Sequence, residues 1–343
     1  NVSGIISERG SNTWTVWAND SSGNVGNDSV TFSSDIPIIH IERLYPTENI
    51  SVEYSEFFNI TLNVTCIDYD CGDVNVSFDP FEGGSGTSGD PYQISTCQQL
   101  QDVQDDVQAS YILVNDIDCS ATSGWNSGAG FDPIGNSTVG YRFSGNFNGK
   151  GYSINDLYIN RPSETYVGLF AIIDGDDDKN TIQNLYISDF DITGYARSGA
   201  LTGYAIDSLI SNVHVSGIID VEWNIVGGIT GYLLRSQIFQ SSANSTITSR
   251  GYPAYNYAGG LVGSMNTEGI INQSYAVVNI KPRDAANGGM VGIMSNKDGA
   301  YIFDSYVGGS FSFDYSLGGS YTGGFSGPTQ PSDIIFNTYS TVV

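Results

Sequence analysis

The chain has 343 residues, enough for two or three domains, and sets 12 Lys plus Arg against 37 Asp plus Glu, a formal net charge of −25. That charge repels nucleic-acid phosphates and anionic lipid headgroups, which removes both from the expected partners. No apolar run has the length of a membrane-spanning helix, and no leader peptide opens the chain. It begins at Asn1 in mid-pattern and stops at Val343 just after a repeat, so it reads as a processed or partial piece of a longer secreted precursor.

Residues 1–34 contain two alternating strands, Thr13–Phe32, joined by a Ser/Gly/Asn turn, a hairpin pattern. Residues 35–81 give three or four more strands, with Cys66 and Cys71 facing each other across a tight turn. The first segment resembles the last two strands of the immunoglobulin-like repeats of archaeal surface proteins, and the second resembles the opening half of such a sandwich. Each half leaves an open edge. The hairpin can close the sandwich of its own chain or, by strand addition, that of a neighbouring copy. Only Ser33–Asp35 separate the two pieces, which favours the neighbour, and such a head-to-tail contact builds a filament.

The four cysteines fall in two close pairs, Cys66/Cys71 and Cys97/Cys119, without zinc or redox spacing, and predict two disulfides in an oxidising compartment. The second pair closes a loop worth about 3 kcal/mol by chain entropy. Glycosylation acceptors cluster in the N-terminal region: Asn1, Asn19, Asn27, Asn49, Asn59, Asn63 and Asn75, followed only by Asn136, Asn244 and Asn272. Both features predict a secreted, cell-surface glycoprotein.

Residues 82–92 read as a Gly/Ser linker. Thr96–Gln108 then predicts one amphipathic helix, N-capped by Thr96, with Leu100, Val103 and Val107 on one face as a cover for the end of the C-terminal domain. From there to Val343, in a domain spanning residues 93–343, the chain repeats itself. INDLYI, IQNLYI, ISNVHV, IFQSSA, INQSYA, IFDSYV and IFNTYS begin at Ile154, Ile182, Ile210, Ile238, Ile271, Ile302 and Ile335, at intervals of 28, 28, 28, 33, 31 and 33 residues. The third column is an amide or carboxylate (Asp156, Asn184, Asn212, Gln240, Gln273, Asp304, Asn337), and the fifth is mostly aromatic (Tyr158, Tyr186, His214, Ser242, Tyr275, Tyr306, Tyr339). Glycine hexads such as SGALTG (Ser198–Gly203), VGGITG (Val226–Gly231) and AGGLVG (Ala258–Gly263) run in phase with them and suit corners that need positive φ or close backbone approach.

No such unit can bury its apolar face alone, so the units must stack. The predicted fold is all-β: a parallel β-helix, or β-solenoid, of about seven coils with an N-terminal capping helix, preceded by a small immunoglobulin-like sandwich module. Stacked at about 4.8 Å, the isoleucines form an interior ladder, the amides hydrogen-bond along the stack and the tyrosines pile ring on ring. The hexads with their I-x-N/Q/D-x-Tyr segments resemble GLUG-type repeats of bacterial and archaeal surface proteins, including noncatalytic parts of IgA-protease-like adhesins. That resemblance implies a surface location and no particular activity.

Few residues suggest chemistry. Asp174, Asp176, Asp177 and Asp178 make an acidic loop of the kind calcium favours, but without the EF-hand spacing, so a solvated loop is the main expectation and calcium the secondary one. Asp189 with Asp191, and Asp220 with Glu222, each lie two apart on a strand and hence on one face, as glycoside hydrolysis would use them. Acids are abundant, however, and Arg197, Arg235, Arg250, Lys281 and Arg283 are scattered. His214 belongs to the aromatic column and His40 has no partner at a catalytic spacing. The expectation is a protein with no enzymatic role and no cofactor: a filament or surface-layer subunit whose partner is itself. An adhesin that binds surface glycans and a polysaccharide-active β-helix are the rival readings.

Overall fold

The computed structural model describes residues 5–6, 10–19, 25–34, 38–45 and 61–67, and residues 81–342 other than 176–179, 224, 251–256, 283–285, 295–298, 312–320 and 330; side chains are described from Phe81 onward, excepting also residues 282, 286, 321, 322 and 342. The fold is all-β, a parallel β-solenoid of about five turns. The chain divides into two compact units, Asn1–Gln93 and Ile94–Val343.

In the first unit, Gly10–Asn19 and Val25–Ser34 pair antiparallel over ten residues, the predicted hairpin, and form a sheet of their own. Ile5–Ile6, Ile38–Tyr45 and Thr61–Ile67 form a second antiparallel sheet, with Ile38–Tyr45 in the middle. The stretch read as a linker is folded instead. Glu82 N–H donates to Gln93 O at 2.9 Å, Gln93 N–H to Gly83 O at 2.8 Å and Ser85 N–H to Asp90 O at 2.9 Å, while Phe81 stacks on Tyr92 with ring centroids 4.8 Å apart. Gly84, at φ 91°, is required here because a Cβ would lie 1.9 Å from Pro91 O. Composition alone signals flexibility; it does not see the two aromatic rings that clamp the loop shut.

The second unit opens with its cap. Thr96 accepts from Gln99 N–H at 3.2 Å while Gln99 Oε1 accepts from Thr96 N–H at 3.2 Å, a capping box. The helix, Cys97–Asp102, is shorter than predicted and tightens into a 3₁₀ turn at Val103–Asp106, yet Leu100, Val103 and Val107 are buried as expected. Cys97 and Cys119 are joined, with Cα atoms 5.3 Å apart. The 3₁₀ stretch Ser120–Gly128 was not legible: its Ser/Gly/Asn composition lacks a helical period, and left-handed Asn126 and Ser127 break it into two turns.

Beyond the cap the chain builds three parallel faces. The longest carries Thr181–Gly194, Leu209–Val221 and, above them, pairs of shorter strands ending with Ile334–Phe336 and Tyr339–Val342. A second stacks Phe170–Asp174, Thr202–Ile206, Thr230–Leu234, Val262–Asn266 and Val291–Met294; a third stacks Ile225–Gly227, Tyr257–Gly259, Ala286–Gly288 and Tyr321–Gly323. The second face has five strands, consistent with about five turns and not seven.

The isoleucine ladder is real from Ile182 upward: Ile182, Ile210, Ile238, Ile271, Ile302 and Ile335 pair in register, the first five fully buried and Ile335, on the last rung, 39% exposed. Ile154 does not belong to it. Ile154 pairs with Ile117 below and Ile187 above, and Phe147 occupies the place beneath Ile182. The 28-residue spacing from Ile154 to Ile182 matches the later coils by coincidence; the true step, Ile154 to Ile187, is 33 residues. Asp156 and Tyr158 shift with it, so that Tyr158 lies beside Asp191 instead of Tyr186.

The division of labour between glycine and the polar column is also different from expectation. Asn184, Asn212, Gln240, Gln273, Asp304 and Asn337 all take positive φ, between 44° and 54°, whereas the glycines of the hexads are absent from the positive-φ positions. Asn and Asp tolerate this left-handed conformation better than other side-chain-bearing residues. The hexad glycines serve close approach: a Cβ on Gly260 would lie 2.1 Å from Gly289 O in the next coil and 2.7 Å from Ala276 Cβ across the interior. Gly260→Ala is therefore expected to lower stability by at least about 1–3 kcal/mol, the range for overpacking. Gly124→Ala, where a Cβ meets nothing within 4 Å, should leave the urea midpoint within error. Equal midpoints for the two variants would refute this account of the hexads.

Candidate functional site

Several of these left-handed corners bond along the solenoid axis, in pairs and not as one unbroken column. Asn212 Nδ2 donates to Asn184 Oδ1 at 2.9 Å, Asn184 Nδ2 to Asn148 Oδ1 at 3.1 Å and Gln240 Nε2 to Gln273 Oε1 at 3.0 Å, while Asn337 Nδ2 donates to Asp304 Oδ1. The aromatic column stacks beside it: Tyr186 on His214 with centroids 4.9 Å apart and Tyr275 on Tyr306 at 5.8 Å, interrupted by Ser242. Tyr186, Tyr275, Tyr306 and Tyr339 are 40–65% exposed. His214 is fixed on both ring nitrogens, Nδ1 to Ser242 Oγ at 2.7 Å and Nε2 to Asn212 Oδ1 at 3.0 Å, and burial holds its pKa below the ordinary 6.5.

A serine column escaped the sequence reading. Ser241, Ser274 and Ser305 occupy the fourth position, which earlier coils fill with Leu185 and Val213, and all three are buried. Each hydroxyl accepts an N–H from the coil below: Val213 N–H to Ser241 Oγ at 3.0 Å, Ser241 N–H to Ser274 Oγ at 3.1 Å and Ser274 N–H to Ser305 Oγ at 3.3 Å. The left-handed residue just before turns that amide out of the strand ladder, and the hydroxyl above takes it up. The signal was present, a switch from Leu/Val to Ser at one column, but an isolated buried serine has no meaning until the register is known.

The two candidate acid pairs differ in their surroundings. Asp189 sits at φ 55° on a register shift between Ser188 and Phe190, and it and Asp191 are both exposed on either side of buried Phe190. Asp220 and Glu222 both face Arg250 of the next coil, Glu222 at 3.4 Å, and burial raises the Asp220 carboxyl while Arg250 opposes it. Asp207 and Arg235 form a similar rung-to-rung bond through two nitrogens, at 2.8 and 2.6 Å. Asp174 is engaged by Arg142 at 2.6 Å, and the rest of the calcium candidate, Asp176, Asp177 and Asp178, lies outside the described residues. Among the described residues there is no group of three or more potential metal ligands.

Of the sequons, Asn136 and Asn244 are exposed, and Asn272 is half-buried with its Oδ1 enclosed. Asn1, Asn49, Asn59 and Asn75 lie outside the described residues, as does Cys71; Asn19, Asn27, Asn63, Cys66 and His40 are placed only as strand positions.

One groove, of about 390 Å³, opens between the cap and the first coil. Asp132, Asn136, Glu164, Thr165 and Tyr166 line it with Gln104. Arg161, whose side chain is 12% exposed, reaches Glu164 Oε1 at 2.7 Å and Asp132 Oδ1 at 3.1 Å, and its Nε donates to Phe131 O. Gln101, from the cap, clamps the Asp132 backbone in both directions, at 2.9 and 2.8 Å. Burial pushes the Asp132 carboxyl up, with Arg161 acting against it. Beyond the groove Tyr166 stacks on Tyr204, centroids 6.3 Å apart, and Tyr204 meets Tyr232 edge-on at 4.7 Å. Arg197 lies 5.5 Å from the Tyr166 ring centre, and burial raises the Tyr204 hydroxyl to about 12.

No protein-family profile matches the chain. Halomucin of Haloquadratum walsbyi is 36% identical over 153 residues, 43% of this chain and 2% of that protein. A candidate Gly-rich membrane protein of Evansella cellulosilytica is 38% identical over 140 residues, 39% of this chain and 15% of that protein. The chain thus matches only a small part of each relative. Among solved structures, a candidate immunoglobulin A1 protease from Bacteroides ovatus aligns over 76% of this chain and 77% of its own, with TM-score 0.65 and 19% identity. An IgA1 protease aligns over 96% of this chain and 26% of its own, with TM-score 0.56 and 17% identity. At those identities the likeness establishes the solenoid fold alone. No helix among the described residues is long and apolar enough to cross a membrane.

Ser274→Ala leaves the Ser241 amide buried without its acceptor and is expected to cost about 1–3 kcal/mol in urea unfolding; a change below a few tenths would refute the role of the serine column. Because the folded pKa of His214 lies below its unfolded value, its neutral form supports stability above about pH 6.5, and that contribution is lost as pH falls through the folded pKa. His214→Gln should therefore flatten the melting-midpoint profile below pH 6.5, and a profile parallel to the wild type would exclude the assignment.

Proposed function

We propose that the chain is a non-catalytic structural module of the cell surface, whose solenoid acts as a rigid spacer and whose N-terminal strands join copies head-to-tail by strand donation. The observation that carries the joining step is the separation of the two N-terminal sheets: among the described residues, Gly10–Asn19 and Val25–Ser34 pair only with each other, apart from the sheet of Ile5–Ile6, Ile38–Tyr45 and Thr61–Ile67. A short paired ribbon is marginal alone and gains most from adding to an open sheet edge. The spacer role rests on the stacked coils, in which every rung adds hydrogen bonds and ladder contacts only to its neighbours.

The surface location draws support from the relatives, one named a mucin and the other a membrane protein. It draws further support from the Cys97–Cys119 disulfide and the acidic composition. The hexads and amide column are the grounds for reading the repeats as GLUG-type. Asp220 and Glu222, spaced as a hydrolase would use them, contribute cross-coil ion pairs in this reading. Negative-stain microscopy with sedimentation of the intact chain beside a version lacking residues 1–34 tests the joining step. Filaments should form only from the intact chain, and the shortened one should take up a peptide of residues 13–32. Monomers in both cases would remove strand donation. Release of reducing ends from a polysaccharide panel would overturn the non-catalytic assignment.

A further inference from the structure

We propose that the groove between the cap and the first coil is a binding site for a neutral oligosaccharide. Its volume, about 390 Å³, falls in the range of small-molecule sites. What distinguishes it is the state of its carboxylates. Asp132 and Glu164 present side chains 47% and 45% exposed, yet both are oriented by one largely buried guanidinium, that of Arg161. Asp132 Oδ1 and Glu164 Oε1 face that guanidinium; the second oxygen of each accepts no hydrogen bond among the described residues. The Asp132 backbone is locked by Gln101 and the Arg161 stem by Phe131 O, so the two free oxygens are held in place before any ligand arrives. Preorganisation of this kind lowers the entropic cost of binding.

The chemistry of the lining selects the ligand. Two carboxylates against one guanidinium leave the site an excess of acceptors and negative charge, which suits vicinal hydroxyl donors and rejects carboxylated or sulfated sugars. Gln104 supplies an amide that both donates and accepts, Asn136, whose Oδ1 accepts from Thr138 N–H at 2.8 Å, supplies its Nδ2 donor, and Thr165 supplies a hydroxyl, the mixed set that a sugar ring with alternating hydroxyls and ring oxygens requires. Tyr166 gives the groove an aromatic wall; its ring stacks on Tyr204, which with Tyr232 stands on the second face one ring per coil, so that a chain of sugars leaving the groove runs beside further half-buried aromatic rings. The site does not depend on how copies assemble.

The test is a glycan array of neutral and uronate-containing oligosaccharides, followed by calorimetry with the best neutral hexasaccharide, on protein whose mass shows no glycan at Asn136. Binding to neutral glycans is expected, with Asp132→Asn and Ser137→Trp each weakening it by about tenfold or more. Ser137 is exposed on the groove rim, so its replacement fills the groove without disturbing the core, and an unchanged melting midpoint certifies the fold. Tyr275→Ala, on the long face, should leave affinity unchanged. The proposal is overturned if no neutral glycan binds, if binding survives Ser137→Trp, or if uronate-containing glycans are preferred.

Discussion

Everything in the second unit depends on one constraint: each coil lies directly above the last at β-strand spacing, so any residue must be compatible with its own counterpart. Apolar residues meet this easily, and isoleucine on isoleucine fills the interior from Ile182 to Ile302. Glycine meets it where coils come so close that a Cβ would touch a carbonyl, as at Gly260. Polar side chains meet it by being donor and acceptor at once, as the amides and hydroxyls of the corner columns are, and a lone carboxylate such as Asp304 fits where the neighbouring corner is an amide that donates to it.

The same constraint explains where charge is tolerated. Like charges stacked at this spacing repel, and two of the acids on the coils are answered by a cation from another coil, Asp207 by Arg235 and Asp220 by Arg250. With 12 basic residues against 37 acidic ones, most carboxylates have no such partner to draw on, and the surface as a whole stays strongly negative. A negative surface opposes association of copies, and the strand addition proposed above would be a directional contact able to overcome it, because it would be made of backbone hydrogen bonds.

The cap is the other dependence. An end of a parallel solenoid exposes unpaired backbone and open core. The short helix Cys97–Asp102 and the 3₁₀ turn after it bury Leu100 and Val103 at the N-terminal end, and the helix is tied down by Cys97 to Cys119. By sending Gln101 across to Asp132, the cap also builds one wall of the groove, so a stability element and a candidate binding site share residues.

The sequence by itself determined the solenoid, the isoleucine, amide and tyrosine columns above Ile182, the N-cap at Thr96 and the Cys97–Cys119 bridge. Each of these is written in local chemistry or in a period, and stacking preserves a period. Only the tertiary structure decided the register of the first coil, where Ile154 sits on Ile187, a step of 33 residues that the 28-residue spacing of the motifs conceals. It also decided that positive φ falls on the amides and not on the glycines, since both residue types tolerate that conformation and only the packing of coil on coil forbids a Cβ at one of them. The serine column and the groove were invisible for a related reason. Ser241 has a role only once Ser274 stands above it, and Asp132 meets Glu164 and Arg161 only when residues some thirty positions apart are brought onto adjacent turns.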